Sequence, residues 1–376
     1  MYSETGEIEN AHMCFDEMPE RDLVSWNSLI SCYSNHGMSD VSLELFRRMR
    51  REGLAWDEFT IATVTNGLTS TCHISLAEQV HSLIIRSGFC FDRFTVNTLI
   101  CLYSKCGNVE SATQMFSEIH EADVVSWTTM IAGLNHSGYW NEVMCAFNQM
   151  RSLEIHPNSF TFGGLFSTCA SSNSFEKGKE YHGLAIKYGL ESDVVVGSAI
   201  VDMYSKCGEM QHAKEFFQRM PERDIVSWNG MICGFAQNGE AVEALNLFHE
   251  MVQIQGIFPN NVTFTGVLTA CSHSGFVQKG RQLFNDLVHV YKIRPSAEHY
   301  TCMVDILARA GLLEDAETLL LDLPLKPDSV MWGTLLGACR RYGELVTAES
   351  RKAFGSGRAR EFLRVCALGQ FVCQWE

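Results

Sequence analysis

The chain has 376 residues, enough for two ordinary domains or one repeat array, and its 46% hydrophobic content is enough for a continuous core. With 29 Lys and Arg against 44 Asp and Glu, the net charge of −15 argues against simple attraction to nucleic-acid phosphates, but not against a neutral groove that reads bases. No stretch is long and apolar enough to span a membrane. The 15 cysteines, in a sequence that does not look exported, suggest free buried thiols in a reducing compartment, and the lack of any Cys-x-x-Cys pair argues against a zinc ribbon.

The N-terminus, Met1 to Gly6, lacks the charged and apolar regions of a secretory signal and the Arg- and Ser-rich composition of a transit peptide. Residues 1–22 instead have the pattern of the second half of a repeat unit, with Pro19 ending its helix. We therefore expect the chain to begin inside a partial repeat, as a truncated or frame-disrupted gene product would.

One phrase recurs along the chain, as Val24-Ser25-Trp26-Asn27, Val125-Ser126-Trp127-Thr128 and Val226-Ser227-Trp228-Asn229. The three tryptophans are 101 residues apart (127 − 26 and 228 − 127), and Trp332 follows after 104 (332 − 228). Such spacing predicts a tandem array, in which no single cluster of residues has to be catalytic. Because the tryptophans hold one repeat position, we interpret them as core between helices.

A shorter repeat divides each of these blocks into three. Its marker is a glycine after a helical run, which is typical of a first helix that ends in the left-handed conformation. A second helix follows, as in the apolar stripe of Ala213, Phe216, Phe217 and Met220, and prolines such as Pro221 end it. The marker glycines are Gly37, Gly107, Gly138, Gly208, Gly239, Gly275 and Gly311.

These signals predict nine helix–turn–helix units and no strand. The units span residues 23–57, 58–92, 93–123, 124–158, 159–193, 194–224, 225–260, 261–296 and 297–328, and residues 329–349 begin a further one. The predicted fold is all-α, a right-handed superhelical α-solenoid of tetratricopeptide-like helix pairs.

With these motifs the chain resembles the pentatricopeptide repeat family of land plants, over about residues 1–349. The long-long-short rhythm of the units, the Val-Ser-Trp-Asn phrase and Glu298-His299-Tyr300 are similar to its subgroup with alternating P, L and S motifs. Residues 329–339 resemble the start of the E1 motif that follows the repeats in that subgroup. The resemblance implies an α-solenoid that binds single-stranded RNA at about one base per repeat. It also implies recognition of C-to-U editing sites, or another step of RNA maturation, in mitochondrial or chloroplast transcripts.

The resemblance further implies which side chains read bases, because the fifth and the last residue of each unit form a pair in that family. The paired residues are Asn27 with Asp57, Asn97 with Asp123, Thr128 with Asn158, Ser198 with Asp224, Asn229 with Asn260, and Thr301 with Asp328. The L-type units carry Ala62 with Asp92, Gly163 with Asp193, and Thr265 with Ser296, for which no base is assigned.

The chemistry of these side chains is consistent with base reading. A carboxylate only accepts hydrogen bonds, so Asp favours uracil or guanine, whose edges offer N–H, whereas an amide also donates, so Asn suits adenine or cytosine. A short Thr or Ser at the fifth position leaves room for a purine, and Asn there fits a pyrimidine. With the N-terminus toward the 5′ end of the RNA, as the resemblance implies, the units predict the RNA U-?-U-A-?-G-C-?-G. An Asp or Asn before a helix is also a common N-cap, and the two roles can coexist.

The second residue of a unit is apolar in eight cases. If these side chains face the groove, each base lies between apolar side chains of neighbouring repeats. Packing in the core is the alternative, and the sequence leaves both open. The eight residues are Val24, Phe59, Phe94, Val125, Phe160, Val195, Val226 and Val262.

No catalytic residue, metal site or cofactor is predicted. The zinc deaminase signature needs His-x-Glu and a later Pro-Cys-x-x-Cys, and none of the 13 histidines begins the first motif. Any editing chemistry would therefore come from a separate deaminase-bearing partner. After residue 349 the chain departs from the family, and residues 350–376 form a divergent tail that we expect to be poorly ordered.

Two other functions stay open. One is a protein-binding α-solenoid scaffold, which the net charge of −15 would suit, although a scaffold gives no reason for the paired polar residues at unit ends. The other is a truncated remnant of an editing factor, which detection of the protein would decide.

Overall fold

The computed structural model describes residues 8–69, 73–88, 92–254, 256–324 and 327–342, and within these ranges it contains twenty α-helices and no strand. Each of the nine predicted units holds two of the helices, which confirms the all-helical fold; the unit boundaries stay a prediction. The predicted tail, residues 350–376, lies outside the described residues. The helices are α1 Ile8–Glu17, α2 Leu23–Asn35, α3 Ser39–Arg51, α4 Glu58–Leu68, α5 Ile74–Ser87, α6 Arg93–Lys105, α7 Val109–Ser117, α8 Val124–His136, α9 Trp140–Ser152, α10 Ser159–Ser171, α11 Phe175–Lys187, α12 Val194–Lys206, α13 Met210–Arg219, α14 Ile225–Gln237, α15 Ala241–His249, α16 Asn261–Ser274, α17 Val277–His289, α18 Ala297–Arg309, α19 Leu313–Leu321 and α20 Ser329–Tyr342.

In eight of the nine units the first helix begins where the last residue of the preceding unit accepts a free backbone N–H; the exception is the ninth unit, where Ser296 contacts the His299 ring instead. Asp57, for example, accepts the N–H of Thr60 at 2.9 Å, and the Thr60 hydroxyl completes a capping box. Such a cap stabilises a helix by about 1 kcal/mol. The N-cap side chains that accept a backbone N–H in this way are Asp22, Asp57, Asp92, Asp123, Asn158, Asp193, Asp224, Asn260 and Asp328.

In eight of the nine units the turn between the two helices contains a left-handed residue; part of the turn of the unit at 58–92 lies outside the described residues. All seven marker glycines have a φ angle between +69° (Gly275) and +81° (Gly239), which a residue without Cβ adopts at little cost. In the unit at 159–193 the position is taken by Asn173, whose φ is +50°. Asn is the residue that tolerates this conformation best after glycine, so the turn is kept without the marker.

The core lies between the helices, and the repeated tryptophans form part of it. Trp26, Trp127 and Trp228 are at most 3% exposed. Each packs edge-to-face on a phenylalanine of the preceding second helix, with ring centroids 4.7 Å apart for Phe15–Trp26 and 5.0 Å for Phe217–Trp228. The stripe from Ala213 to Met220 is buried as predicted. Aromatic pairs in this arrangement stabilise a core beyond their area alone.

The helices group into two compact units: α1–α10 with most of α11, and α12–α20 together with residues 173–178. In the second compact unit, α18, α19 and α20 pack together around a core that includes Val304, Leu320 and Met331. The half-buried Trp332 packs against this core. Of the helices that the structure describes, none has the length and apolar character needed to cross a membrane.

Candidate nucleic-acid interface

The eight apolar side chains at the second position of a unit are exposed, which argues against core packing, one of the two roles that the sequence left open; base stacking stays a prediction. Their exposed fractions run from 46% for Val195 to 69% for Val24. They therefore do not pack in the core, unlike the tryptophans two residues further along the same helices. Val330 continues the series in α20, but Glu298 interrupts it with an exposed carboxylate in α18. A row of exposed apolar side chains at one repeat position is a surface on which flat rings can stack.

In the first compact unit these side chains border a groove. Helices α6, α8 and α10 line a space of about 970 Å³ that is bordered by Phe94, Val125 and Phe160. The predicted base-reading residues Asn97, Thr128 and Asn158 line the same groove, together with the cation Lys105. The groove thus combines apolar side chains with hydrogen-bonding groups, which is the combination that small flat polar ligands need.

Two predicted pairs of the second compact unit are joined by direct hydrogen bonds. The Ser198 hydroxyl donates to Asp224 Oδ1 at 3.0 Å. Asn229 Nδ2 donates to Asn260 Oδ1 at 3.0 Å, and the Thr263 hydroxyl donates to Asn229 Oδ1 at 2.6 Å. The fifth-position residues Ser198 and Asn229 are buried beside the exposed row.

Two further pairs lie in the first compact unit. The Asn27 side chain, which is buried, donates to the Asp57 carboxylate. Burial raises the pKa of Asp57, but the hydrogen bonds from Thr60 and from Asn27 outweigh burial, so that the pKa lies below its ordinary value. In the second pair the contact is indirect, because the Thr128 hydroxyl meets the Thr161 hydroxyl at 2.8 Å, which in turn donates to Asn158 Oδ1 at 2.9 Å.

The pair Asn97 and Asp123 has a different environment. Both line a second cavity of about 790 Å³, and the Asp123 carboxylate accepts a hydrogen bond from the Arg93 guanidinium. Burial raises the pKa of Asp123, but the N–H and hydroxyl of Ser126 and the charge of Arg93 hold it below its ordinary value. Asn97 Oδ1 is buried and has no hydrogen-bond partner among the described residues.

The sixth predicted pair is not linked by a hydrogen bond that joins its two members. Thr301 donates instead to the carbonyl of Ala297 in its own helix at 2.9 Å, while Asp328 caps α20 through the N–H of Met331 at 2.8 Å. In the L-type units, Ala62 and Gly163 bring no hydrogen-bonding side chain, and Thr265 donates to the carbonyl of Asn261. Within the described residues, the ninth unit and the L-type units thus lack the direct hydrogen bond between fifth- and last-position side chains that joins Asn27 with Asp57, Ser198 with Asp224, and Asn229 with Asn260.

Sequence reasoning missed the residue at the third position of a unit. Thr60, Ser126, Thr161, Ser227 and Thr263 each donate a backbone N–H to the preceding last-position side chain. Their hydroxyls also contact that side chain or its carbonyl. These bonds hold the last-position side chain in place beside the fifth-position residue. The recurring pattern Asp/Asn-x-x-Ser/Thr carried this signal.

Nucleophilic and metal chemistry has little support in the described part of the chain. Burial raises the pKa of the Cys233 and Cys271 thiols to about 11, so both are protonated and weakly nucleophilic at neutral pH. In the described ranges no group of three or more His, Cys, Asp or Glu side chains is placed to hold a metal ion. The polar groups of the groove are thus suited to binding by hydrogen bonds.

Paired helices, capped turns and an exposed apolar row define a helical repeat protein with a polar-apolar groove. A model of the PPR repeat family matches residues 122–171 and 223–273, and a PPR repeat model matches residues 1–23, 24–54, 94–124, 198–225, 262–289 and 298–325. Together these matches cover more than half of the chain. The chain belongs to the pentatricopeptide repeat (PPR) family.

Two curated relatives are plant proteins. A mitochondrial pentatricopeptide repeat-containing protein of Arabidopsis thaliana is 37% identical over 263 residues, which are 70% of this chain and 38% of that protein. A chloroplastic one from the same plant is 35% identical over 267 residues, 71% of this chain and 33% of that protein. The chain spans about a third to a half of the length of the curated relatives it matches.

Among solved structures, the chain is similar to the pentatricopeptide repeat protein PPR10 from maize. The crystal structure of PPR10 in complex with an 18-nucleotide psaJ RNA element aligns with a TM-score of 0.65 and 19% sequence identity. The alignment covers 94% of this chain and 53% of that chain. The similarity shows the helical solenoid fold.

Proposed function

We propose that the chain is a sequence-specific single-stranded RNA-binding protein in which each P- or S-type unit contacts one base. The observation that carries the proposal is the exposed apolar row next to polar pairs whose fifth-position members, such as Ser198 and Asn229, are buried. The second and the fifth residue of a unit are three apart on one helix, so they share a face. A base that stacks on the second-position side chain therefore brings its hydrogen-bonding edge to the fifth- and last-position side chains.

The bases follow from the hydrogen-bonding capacity of each pair. Asp57, Asp123, Asp224 and Asp328 accept only, which favours the N–H of uracil or guanine, while Asn158 and Asn260 suit adenine or cytosine. The proposed target is U-?-U-A-?-G-C-?-G, with the L-type units at the question marks. The ninth position has the weakest support, because Thr301 bonds to its own helix and Glu298 stands in the stacking row.

The net charge of −15 affects the electrostatic contribution to RNA binding. Long-range attraction for a polyanion is small, so the affinity depends on stacking and base-edge contacts made within the groove. We expect a weak dependence of the affinity on salt, because few counterions are released from the RNA.

The biological setting is a finer proposal. The names of the relatives place them in mitochondria or chloroplasts, and the P, L and S rhythm of the units supports a role in C-to-U editing or another step of RNA maturation there. In this proposal the repeats specify the site, and a separate deaminase-bearing partner supplies the chemistry. The edited cytidine would lie a few nucleotides 3′ of the last assigned base.

The test is a binding titration with the proposed nine-nucleotide target inside a longer unstructured RNA. The control RNA has all six assigned positions scrambled and keeps length and composition. We expect the matched RNA to bind about a hundredfold more tightly or better, since a single good base contact is worth 1–3 kcal/mol. Equal affinity for the two RNAs would remove base reading and favour the protein-binding scaffold.

A further inference from the structure

The third unit contains an arginine where no other unit has a basic residue. Arg93 is the first residue of that unit and of helix α6. The first residues of the other units and of α20 are Leu23, Glu58, Val124, Ser159, Val194, Ile225, Asn261, Ala297 and Ser329. This single cation therefore lies beside one base-reading pair and beside none of the others.

The two carboxylate oxygens of Asp123 accept hydrogen bonds from different donors. Oδ1 accepts the N–H and the hydroxyl of Ser126, at 2.9 and 3.1 Å, and thereby caps α8. Oδ2 accepts a guanidinium N–H of Arg93 at 3.0 Å. Both side chains are partly exposed, at 48% for Arg93 and 39% for Asp123, so a ligand can reach the outer oxygen and the guanidinium together.

The cavity around this ion pair has an unsatisfied polar group. Arg93, Asn97 and Asp123 line it between the apolar side chains of Phe94 and Val125. Asn97 is only 9% exposed, and its Oδ1 has no partner among the described residues. A buried acceptor without a partner is unfavourable, so the cavity favours a ligand edge that offers an N–H to Asn97 or to Asp123.

The charges of the cavity indicate an uncharged ligand. Asp92, Glu118, Glu121 and Asp123 line it, and Arg93 is the one Lys or Arg among the lining residues. A phosphate group would meet more carboxylates than cations there. A neutral base edge that offers a carbonyl oxygen beside an N–H instead matches the guanidinium donor and the carboxylate acceptor at the same time.

We propose that Arg93 is a third specificity-determining residue of the third unit: it donates to a keto oxygen of uracil while Asp123 accepts the N3–H. Cytosine can make neither hydrogen bond, because its edge has an amino group in place of the keto oxygen and a ring nitrogen without a hydrogen in place of the N3–H. This proposal rests on the proposed RNA-binding function. The first unit offers an internal reference, since it has the same pair, Asn27 with Asp57, but Leu23 in place of the arginine.

The experiment measures the affinity ratio of U over C at the first and at the third target position, for the full chain and for Arg93→Leu. Arg50→Leu removes the same charge from the exposed surface of α3 and serves as the matched control. In the wild-type protein we expect the ratio at the third position to exceed that at the first about tenfold. Arg93→Leu should lower the third-position ratio to the level of the first position, whereas Arg50→Leu should change neither ratio.

Two results would overturn this inference. One is an Arg93→Leu protein that binds the U and C forms more weakly by the same factor, which would mean general attraction for the strand. The other is an Arg93→Leu protein that keeps both the affinity and the third-position ratio of the wild-type protein. In both cases the wild-type protein still prefers the matched RNA to the scrambled one; loss of that preference is the separate failure of the proposed function. Thermal unfolding midpoints equal to that of the wild-type protein show that a change in the affinity ratio of a variant does not come from loss of folded protein.

Discussion

The second and the fourth residue of the first helix of a unit differ in solvent exposure, although both are large and apolar. In α2, Val24 is 69% exposed and Trp26 is fully buried. Two residues along a helix turn the side chain by about 200°, so the two positions face opposite sides. The two side chains differ in their packing partners. A phenylalanine of the preceding second helix packs against the tryptophan, whereas no part of the described structure covers the valine. One side of the helix therefore holds the array together, and the other is available to a ligand.

The largest effect should come from breaking the buried side. Trp228→Ala removes an indole that packs on Phe217 and is 1% exposed, so we expect a loss of about 3–5 kcal/mol in the free energy of unfolding. Trp228→Phe keeps most of the ring contact and removes an indole N–H that has no partner among the described residues, so it should cost much less. Urea unfolding followed by circular dichroism measures both, and equal losses would contradict the packing role.

A second test uses two glycines of helix α14. A Cβ at Gly234 would meet Ser205 Cβ and Oγ at 2.6 Å, whereas one at Gly230 would meet only Val201 Cγ1 at 3.5 Å. Gly234→Ala should therefore cost about 1–3 kcal/mol through overpacking. Gly230→Ala should stabilise by up to about 1 kcal/mol, because alanine favours the helix. The free energies of unfolding should move in opposite directions, and changes of the same sign would argue against the close helix contact at Gly234.

The exposed side is tested with two valines of the same unit. Val226, in the second-position row, is 58% exposed, and Val242, on helix α15, is 59% exposed. Either change to Glu should leave the free energy of unfolding within about 0.5 kcal/mol. Val226→Glu should weaken RNA binding roughly tenfold or more, since a base loses its stacking surface, while Val242→Glu should have little effect. Equal weakening by the two variants in a titration would show that charge alone matters.

The smallest expected effect concerns acid stability at Asp57. Its pKa is below the ordinary value in the folded protein, so its contribution to stability is present above the unfolded pKa and is lost as the pH falls through the folded one. Asp57→Asn keeps a capping side chain that does not titrate. The difference in unfolding free energy between the two proteins should therefore be constant near pH 6 and change below about pH 4. A difference that does not vary with pH would argue against the hydrogen bonds from Thr60 and Asn27.

The sequence predicted the helix pairs because each signal was local. A glycine after a helical run and a cap before the next helix each act within a few residues, and all seven marker glycines have the expected φ. The recurring tryptophans added the period of the array. The contacts of the candidate site were harder to predict from the sequence, since they join residues about thirty positions apart. Whether Ser198 reaches Asp224, or Asn229 reaches Asn260, depends on how neighbouring helices pack. The ion pair of Arg93 with Asp123 was missed for the same reason.

The most direct test of base reading is a change of one last-position side chain. Asp224→Asn keeps the N-cap of α14 and a side-chain oxygen that can accept from Ser198, but it adds an N–H donor beside the base. The wild-type protein should bind the target with G at the sixth position about tenfold more tightly than the target with A, and Asp224→Asn should reverse that order. Preferences at the other assigned positions should stay as they are. An unchanged preference for G in the variant would contradict the assignment of the last-position residues as base readers.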